Sequence, residues 1–288
     1  MTTARTTAEL RQAMGAPRRA GQTVGLVATM GSLHEGHLSL LRAARERCDL
    51  VVMSLFVNPA QFGPGEDLET YPRDEQRDLA LAADEGVDFV FAPTFVQEVY
   101  PPGFATTVAV AGALTEALCG DPARRGPEHF HGVTTMVAKL FNVVGPDVAF
   151  FGQKDAQQAI AIRRMAHDLD FPVEVVALPI VREPDGLAMS SRNAYLSDDE
   201  RRRARALSRA LRAAEQSAAE DGATVESALA AARIELAAAD VDPEYLEARD
   251  AEDLEPVQSF NGRPVLVAIA ARIGRARLID NVVIDTGG

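Results

Sequence analysis

The 288-residue chain has no tryptophan, 6% aromatic residues and two cysteines, and its basic residues are outnumbered 29 to 42. Each shortage excludes something. Cys48 and Cys119 are too few for a disulfide framework, and neither lies in a C-x-x-C pair. Cys48 ends a helical pattern and reads as a small buried apolar residue. The net charge of −13 repels polyanions and argues against a nucleic-acid partner. The one dense basic run, Arg201-Arg202-Arg203 with Arg205, follows Asp198-Asp199-Glu200 and reads as a solvated helix face. No apolar run is long enough to span a bilayer. The first twenty residues lack the apolar core of a signal peptide. A soluble cytoplasmic protein with no membrane partner is expected.

What is present is the composition of a packed core, 47% hydrophobic and 25% charged. The length suits one large domain or two unequal ones. An apolar run at 24–28 reads as a buried strand, and Thr29-Met30-Gly31-Ser32 as a bend. His34-Glu35-Gly36-His37 follows, then helical spacing through Leu38, Leu41 and Arg45. Further strands are expected at 50–56, 87–91, around Val108 and Val110, at 148–151 and at 173–181. Helices are expected at 5–15, limited by Pro17, and at 74–85, 132–144 and 155–169. This alternation predicts an α/β, Rossmann-like parallel sheet. Its ligand loops should gather at the strands' carboxyl ends, at 29–37, 57–63 and 152–155.

Beyond residue 181 the pattern changes to a polar loop and two helices. Ser197 with Glu200 forms a capping box for the first, and the second covers 225–238. Strands follow at 245–249, 265–273 and 278–284. We therefore expect a Rossmann-like nucleotide-binding domain at 1–181 and a smaller α+β lid domain at 182–288.

Three clusters carry candidate chemistry. His34 and His37 stand where a strand turns into a helix, whose unpaired N–H groups and dipole attract phosphate. Three readings stay open for them: a phosphate site, a zinc site in want of a third ligand, or a capping and packing pair. Lys154, between Gln153 and Asp155, occupies a second strand–helix junction. A cation there is disfavoured by the dipole unless an anion joins it; Asp155 reads as a cap or first-turn acid. Met189-Ser190-Ser191-Arg192-Asn193 combines two hydroxyls and a guanidinium, a good phosphate-binding set, against the plainer reading of a turn. Gln61 and Gln158 could bind hydroxyl and carboxylate groups of a small substrate. His129 and His131 flank Phe130 before a helix, without an obvious serine or cysteine nucleophile beside them.

Together TMGSLHEGH (29–37), FVNPAQFG (56–63), YPR (71–73), HFHGVTT (129–135), FFGQKDAQQ (150–158), VREPDGLAMSSRN (181–193) and RLIDN (277–281) resemble the pantothenate synthetase (pantoate–β-alanine ligase) family of HxGH nucleotidyltransferases. The resemblance implies ATP-dependent condensation of pantoate with β-alanine through a pantoyl adenylate, in a cytoplasmic homodimer. It implies ATP as a substrate with Mg2+ and no organic prosthetic group. By resemblance, His34 and His37 contact ATP phosphates, with His37 as general acid, and Lys154 stabilises charge at the α-phosphate. Ser190, Ser191 and Arg192 would hold the departing phosphates. Met30, Gly152, Asp155, Val181 and Met189 would line the nucleotide site. Gln61 would bind both small substrates, Gln158 would bind pantoate, and Asn58 would shape their pocket.

The chain departs from the family at three points. Ala28 replaces the usual proline and Gln153 the usual acid. Arg77 replaces one of the acids that help hold Mg2+ in some relatives, leaving Asp78 as the matching candidate metal ligand. The alternatives are another HxGH nucleotidyltransferase adenylating a different small carboxylate, an inactive nucleotide-binding regulator, and a zinc hydrolase.

Overall fold

A computed structural model describes residues 1–260 and 262–285. In chain order its elements are β1 (Thr2–Ala4), α1 (Thr7–Arg19), β2 (Val24–Thr29), α2 (Glu35–Arg47), β3 (Leu50–Leu55), α3 (Glu75–Asp84) and β4 (Phe89–Phe91). Then come α4 (Ala113–Glu116), α5 (Pro127–Val144), β5 (Val148–Gly152), α6 (Ala156–Asp168) and β6 (Glu174–Leu178). The last are α7 (Asp198–Ala218), α8 (Val225–Ala237), β7 (Pro243–Asp250), β8 (Val265–Ile273) and β9 (Ala276–Ile284). Two compact units result, one from Met1–Val110, Pro127–Gly152 and Ala161–Pro179, the other from Ala111–Gly126, Gln153–Ile160 and Ile180–Gly288.

The first unit holds a six-stranded sheet in the order β1-β4-β3-β2-β5-β6, every pair parallel. From β2 the chain steps outward through β3 and β4, then returns to place β5 on the other side of β2. The order therefore reverses between β2 and β5, the place where open parallel sheets bind ligands beyond their carboxyl ends. Val27, Met53, Val90 and Phe150 are fully buried in the sheet, with Leu41 and Ala44 of α2 in the same core. Each large apolar side chain so placed contributes roughly 1.5–3 kcal/mol by leaving water. Near-continuous apolar strands are what a sheet covered on both faces requires.

The second unit packs α7 and α8 with an antiparallel sheet in the order β7-β8-β9. Leu207 and Leu211 of α7, Ala232 of α8 and Val267 and Ile269 of β8 are all buried in one core. Thus the α/β fold and the α+β C-terminal region are both present. The capping box at Ser197 forms as expected, with reciprocal bonds to Glu200.

Local differences have local causes. No strand forms around Val108. Its N–H donates to Thr135 Oγ1 at 2.9 Å and its carbonyl accepts from Thr134 Oγ1 at 2.5 Å, so two α5 hydroxyls replace a sheet ladder. The short edge strand β1 has too few residues to reveal a period in sequence. Helix α1 continues past Pro17, which lies in its last turn. Helix α5 begins five residues before Gly132, at Pro127, the helix position that best tolerates proline.

Candidate active site

In the first unit, the bend after β2 is built from two successive left-handed residues, Gly31 (φ 85°) and Ser32 (φ 53°). A Cβ on Gly31 would lie 2.9 Å from Asp78 Oδ2 and 3.0 Å from a Leu55 methyl, so the position also requires glycine for space. Asp78, 1% exposed, clamps the bend. Its Oδ2 accepts the Ser32 N–H and its Oδ1 the Leu33 N–H, both at 2.8 Å. Arg77 donates to the Leu33 carbonyl at 3.1 Å and lies 3.8 Å from Asp78. Thr29 donates to the Ser54 carbonyl at 2.8 Å, tying the end of β2 to β3.

This clamp delivers the chain to α2 with His34 as its N-cap. His34 Nδ1 accepts the Gly36 N–H at 3.2 Å, and His37 Nδ1 accepts the His34 N–H at 3.3 Å. The ring centroids are 4.1 Å apart. Histidines thus make the reciprocal cap that serine and glutamate usually make. A neutral ring accepting at Nδ1 carries its proton on Nε2, so the cap assigns the tautomer of both rings. An Nε2–H at a helix start is suited to donate to an anion. Glu35 is drawn off by Arg42 on the exposed side of the helix.

Beyond β3, Asn58 is 1% exposed and its amide is engaged on both sides. Nδ2 donates to the Gly132 carbonyl at 3.1 Å, while Oδ1 accepts from Ala60 N–H at 3.2 Å and Tyr100 hydroxyl at 2.9 Å. Burial pushes the Tyr100 phenol up to about 12, the Asn58 contact pulling the other way. Asn58 therefore shapes the short helical turn Pro59–Gln61 that carries Gln61. His129 Nδ1 lies 2.7 Å from the Gln61 carbonyl. Gly132 admits this turn against α5, where a Cβ would lie 2.1 Å from the Ala60 carbonyl oxygen.

In the second unit, the turn Gln153–Asp155 precedes α6. The Lys154 ammonium lies 3.5 Å from Asp155 Oδ2. Gln158 is partly exposed in the first turn of α6. Its neighbour Gln157 is buried, accepting from Cys119 N–H at 3.1 Å and donating to the Leu114 and Ala117 carbonyls at 3.2 and 2.7 Å. Asn281 of β9 holds the turn by its backbone, donating through Nδ2 to the Gln153 and Lys154 carbonyls at 2.9 and 3.0 Å. Its Oδ1 accepts from Gln153 Nε2 at 3.1 Å.

The polar loop after β6 is a braced hairpin. Met189 N–H donates to the Val181 carbonyl at 3.0 Å, and Glu183 N–H to the Leu187 carbonyl at 2.8 Å. Arg182 forks onto Asp280 at 2.7 and 3.0 Å, and Arg201 pairs with Glu183 and Asp185. Burial pushes the Asp280 carboxyl up, against the pull of Arg182 and Lys154. At the hairpin's end, Ser190 Oγ accepts the Arg192 N–H at 3.3 Å and caps the helical turn Ser191–Tyr195. Asn193 ties that turn back through Glu183 at 2.6 Å and the Ala188 carbonyl at 3.0 Å.

The unit division places Met30, His34, His37, Asn58, Gln61, Asp78 and Gly152 in the first unit. Lys154, Asp155, Gln158, Val181, Met189, Ser190, Ser191 and Arg192 are in the second. Sequence reading missed the scaffolding roles of Asp280, Asn281, Gly132 and Tyr100; only the RLIDN motif hinted at the first two. Asp78, the candidate metal ligand, has each oxygen engaged by a backbone N–H. Among the described residues no group of three or more His, Cys, Asp or Glu side chains is placed to hold a metal ion.

The family model for pantoate-beta-alanine ligase matches residues 2–283. A pantothenate synthetase of Moorella thermoacetica is 52% identical over 290 residues, covering 97% of each chain. One from Novosphingobium aromaticivorans is 53% identical over 279 residues, covering 95% of this chain and 96% of its own. A solved pantothenate synthetase from Thermus thermophilus superposes with a TM-score of 0.90 at 49% identity, covering 98% of this chain and 99% of its own. A pantoate-beta-alanine ligase from Francisella tularensis, complexed with beta-gamma ATP and beta-alanine, has a TM-score of 0.79 at 30% identity. That match covers 98% of this chain and 97% of the other.

Proposed function

The chain belongs to the pantoate–β-alanine ligase family, and from that premise we propose how its residues condense pantoate with β-alanine as ATP is cleaved. The match over residues 2–283 carries the reading. The reaction is an AMP-forming ligation in two halves. A pantoate carboxylate oxygen attacks the α-phosphorus of ATP, the bond to the β-phosphate breaks, and pyrophosphate leaves. The neutral amine of β-alanine then attacks the acyl carbon of the mixed anhydride. AMP leaves, and the nitrogen gives up a proton as the amide forms.

Phosphoryl transfer of this kind depends on positioning and on charge stabilisation. We assign His34 and His37 to the ATP phosphates as Nε2–H donors, with His37 giving a hydrogen bond to the charge that develops as pyrophosphate departs. The assignment is supported by their capping geometry beside the point where strand order reverses. Lys154, in the turn just before α6, takes the α-phosphate charge. Ser190, Ser191 and Arg192 hold the departing phosphates, and Met30, Gly152, Asp155, Val181 and Met189 line the nucleotide. Gln61 binds pantoate and β-alanine, Gln158 binds pantoate, and Asn58 sets the turn that bears Gln61.

Mg2+ enters as the counter-ion of ATP and is part of the substrate. The working form is a cytoplasmic homodimer; a scattering mass of one chain would overturn that part. The chemistry is tested by pyrophosphate release from ATP, which should require pantoate and not β-alanine. Release driven equally by unrelated carboxylates would overturn the substrate assignment. Lys154→Ala should abolish this half-reaction and leave the circular dichroism spectrum unchanged; near-parental turnover would overturn its role.

A further inference from the structure

Lys154 is a flexible cation on a long stem, and it sits where the α6 dipole repels it. Its backbone needs an anchor, and the anchor lies 127 residues away in sequence. Asn281, 4% exposed, commits its amide to one short turn, with two N–H···O bonds to the Gln153 and Lys154 carbonyls and one bond accepted from Gln153. The two carbonyl acceptors fix which end of the Asn281 amide is nitrogen. The carbonyl end then meets residue 153, and Gln153 presents a donor to it. The neighbouring Asp280, 3% exposed, accepts a two-point bond from Arg182 and the N–H of Asn281. Arg182 lies beside Val181, whose carbonyl pairs with Met189 immediately before Ser190. Successive residues of a strand project to opposite faces, so one dipeptide of β9 can hold two loops.

We infer that Asp280 and Asn281 are positioning residues for adenylation: together they fix the Lys154 turn and the base of the hairpin bearing Ser190, Ser191 and Arg192. They touch no reacting atom. This inference rests on the assignment of Lys154 to the α-phosphate. Displacement of a catalytic group by about 1 Å lowers rate by roughly a hundredfold; the β- and γ-phosphates are handled only in the first half-reaction, whereas the α-phosphate stays on the acyl adenylate and leaves with AMP in the second. The attack of β-alanine on a ready-made acyl adenylate makes no such demand on the pyrophosphate-holding groups.

The test compares Asn281→Ala, Asn281→Asp and Lys154→Ala in the full chain. Two assays are needed: pantoate-dependent exchange of labelled pyrophosphate into ATP, and β-alanine-dependent consumption of chemically prepared pantoyl adenylate. Asn281→Asp keeps an acceptor for Gln153 but loses both donors to the turn. It should fall with Asn281→Ala, by roughly 10- to 100-fold in the kcat of exchange. The pantoate KM should stay within about twofold, and the second half-reaction, which lacks the β- and γ-phosphates, should fall clearly less than exchange. Equal loss in both assays, as general destabilisation would give, overturns the inference, and so does parental exchange by Asn281→Asp. If Lys154→Ala itself exchanges normally, the reading of the site fails; if only Lys154→Ala is impaired, the positioning inference alone fails. Should the Asn281 variants not fold, Gln153→Ala decides. A selective loss of exchange of roughly fivefold, the worth of one hydrogen bond, supports the inference, and parental exchange overturns it.

Discussion

Replacing Asp78 by asparagine tests whether the histidine turn is held by buried charge. The substitution keeps the volume, so no cavity confuses the result. In the parent, two backbone N–H groups donate at 2.8 Å to a carboxylate that is 1% exposed. Hydrogen bonds to a buried charge are worth about 1.5–3 kcal/mol each. Asparagine retains one acceptor, loses the other and turns an amide N–H towards a buried donor. The expected loss is about 2–4 kcal/mol, one charged bond plus part of a desolvation penalty. At about 2 °C per kcal/mol for a chain of this size, the unfolding midpoint should fall by roughly 4–8 °C. Differential scanning calorimetry should place that loss in the transition of the first unit. Pantoate-dependent pyrophosphate release should fall as well, because the Gly31-Ser32 bend sets the entry to His34. An unchanged midpoint with parental release would refute the clamp. Lost release with an unchanged midpoint would refute it too, since Asp78 would then act on substrate or metal and not on the turn.

Gly132→Ala puts a methyl 2.1 Å from a backbone oxygen of Ala60 and 3.0 Å from Gln61 N, where nothing flexible can yield. It should cost about 1–3 kcal/mol or more of stability and raise the KM for pantoate, with kcat changed less; an unaltered KM would detach Gln61 from that substrate. Tyr100 should keep its proton to about pH 12 in the folded chain, while the unfolded phenol ionises near 10.0. Between those values the folded state binds more protons, so stability falls as pH rises. Tyr245 is also raised, by burial first and then by Cys119. Absorbance titration should therefore show Tyr100 and Tyr245 ionising late. Tyr100→Phe should remove the component near 12; its persistence would contradict the assignment.

The parallel sheet was legible because its strands are apolar runs punctuated by glycine and proline, with helical spacing between them. Where that rule failed, the competing partner was distant. Val108 looks like a strand residue, yet Thr134 and Thr135 of α5 take its backbone groups. No local pattern announces two threonines waiting on a helix. Element β1 was missed for a different reason: its pairing with Phe89–Phe91, register Thr2 to Phe89, gives a three-residue stretch its identity.

The candidate site divides along the same line. Residue types that are chemically expressive at strand ends, such as His34, His37 and Lys154, can be picked out because their surroundings are legible nearby. Asp78 and Asn281 are equally expressive types, but their partners lie 46 and 128 residues away, and burial converts them from reagents into scaffold. The pair Gln157 and Gln158 makes the point most sharply. The two are identical in type and adjacent, so composition and spacing cannot separate them. One residue of helix is a rotation of about 100°. That rotation sends Gln157 into three backbone bonds with Leu114, Ala117 and Cys119, where it can hold nothing else. Gln158 is the glutamine left partly exposed on a different face, and of the two it is the one with an amide still available for other partners.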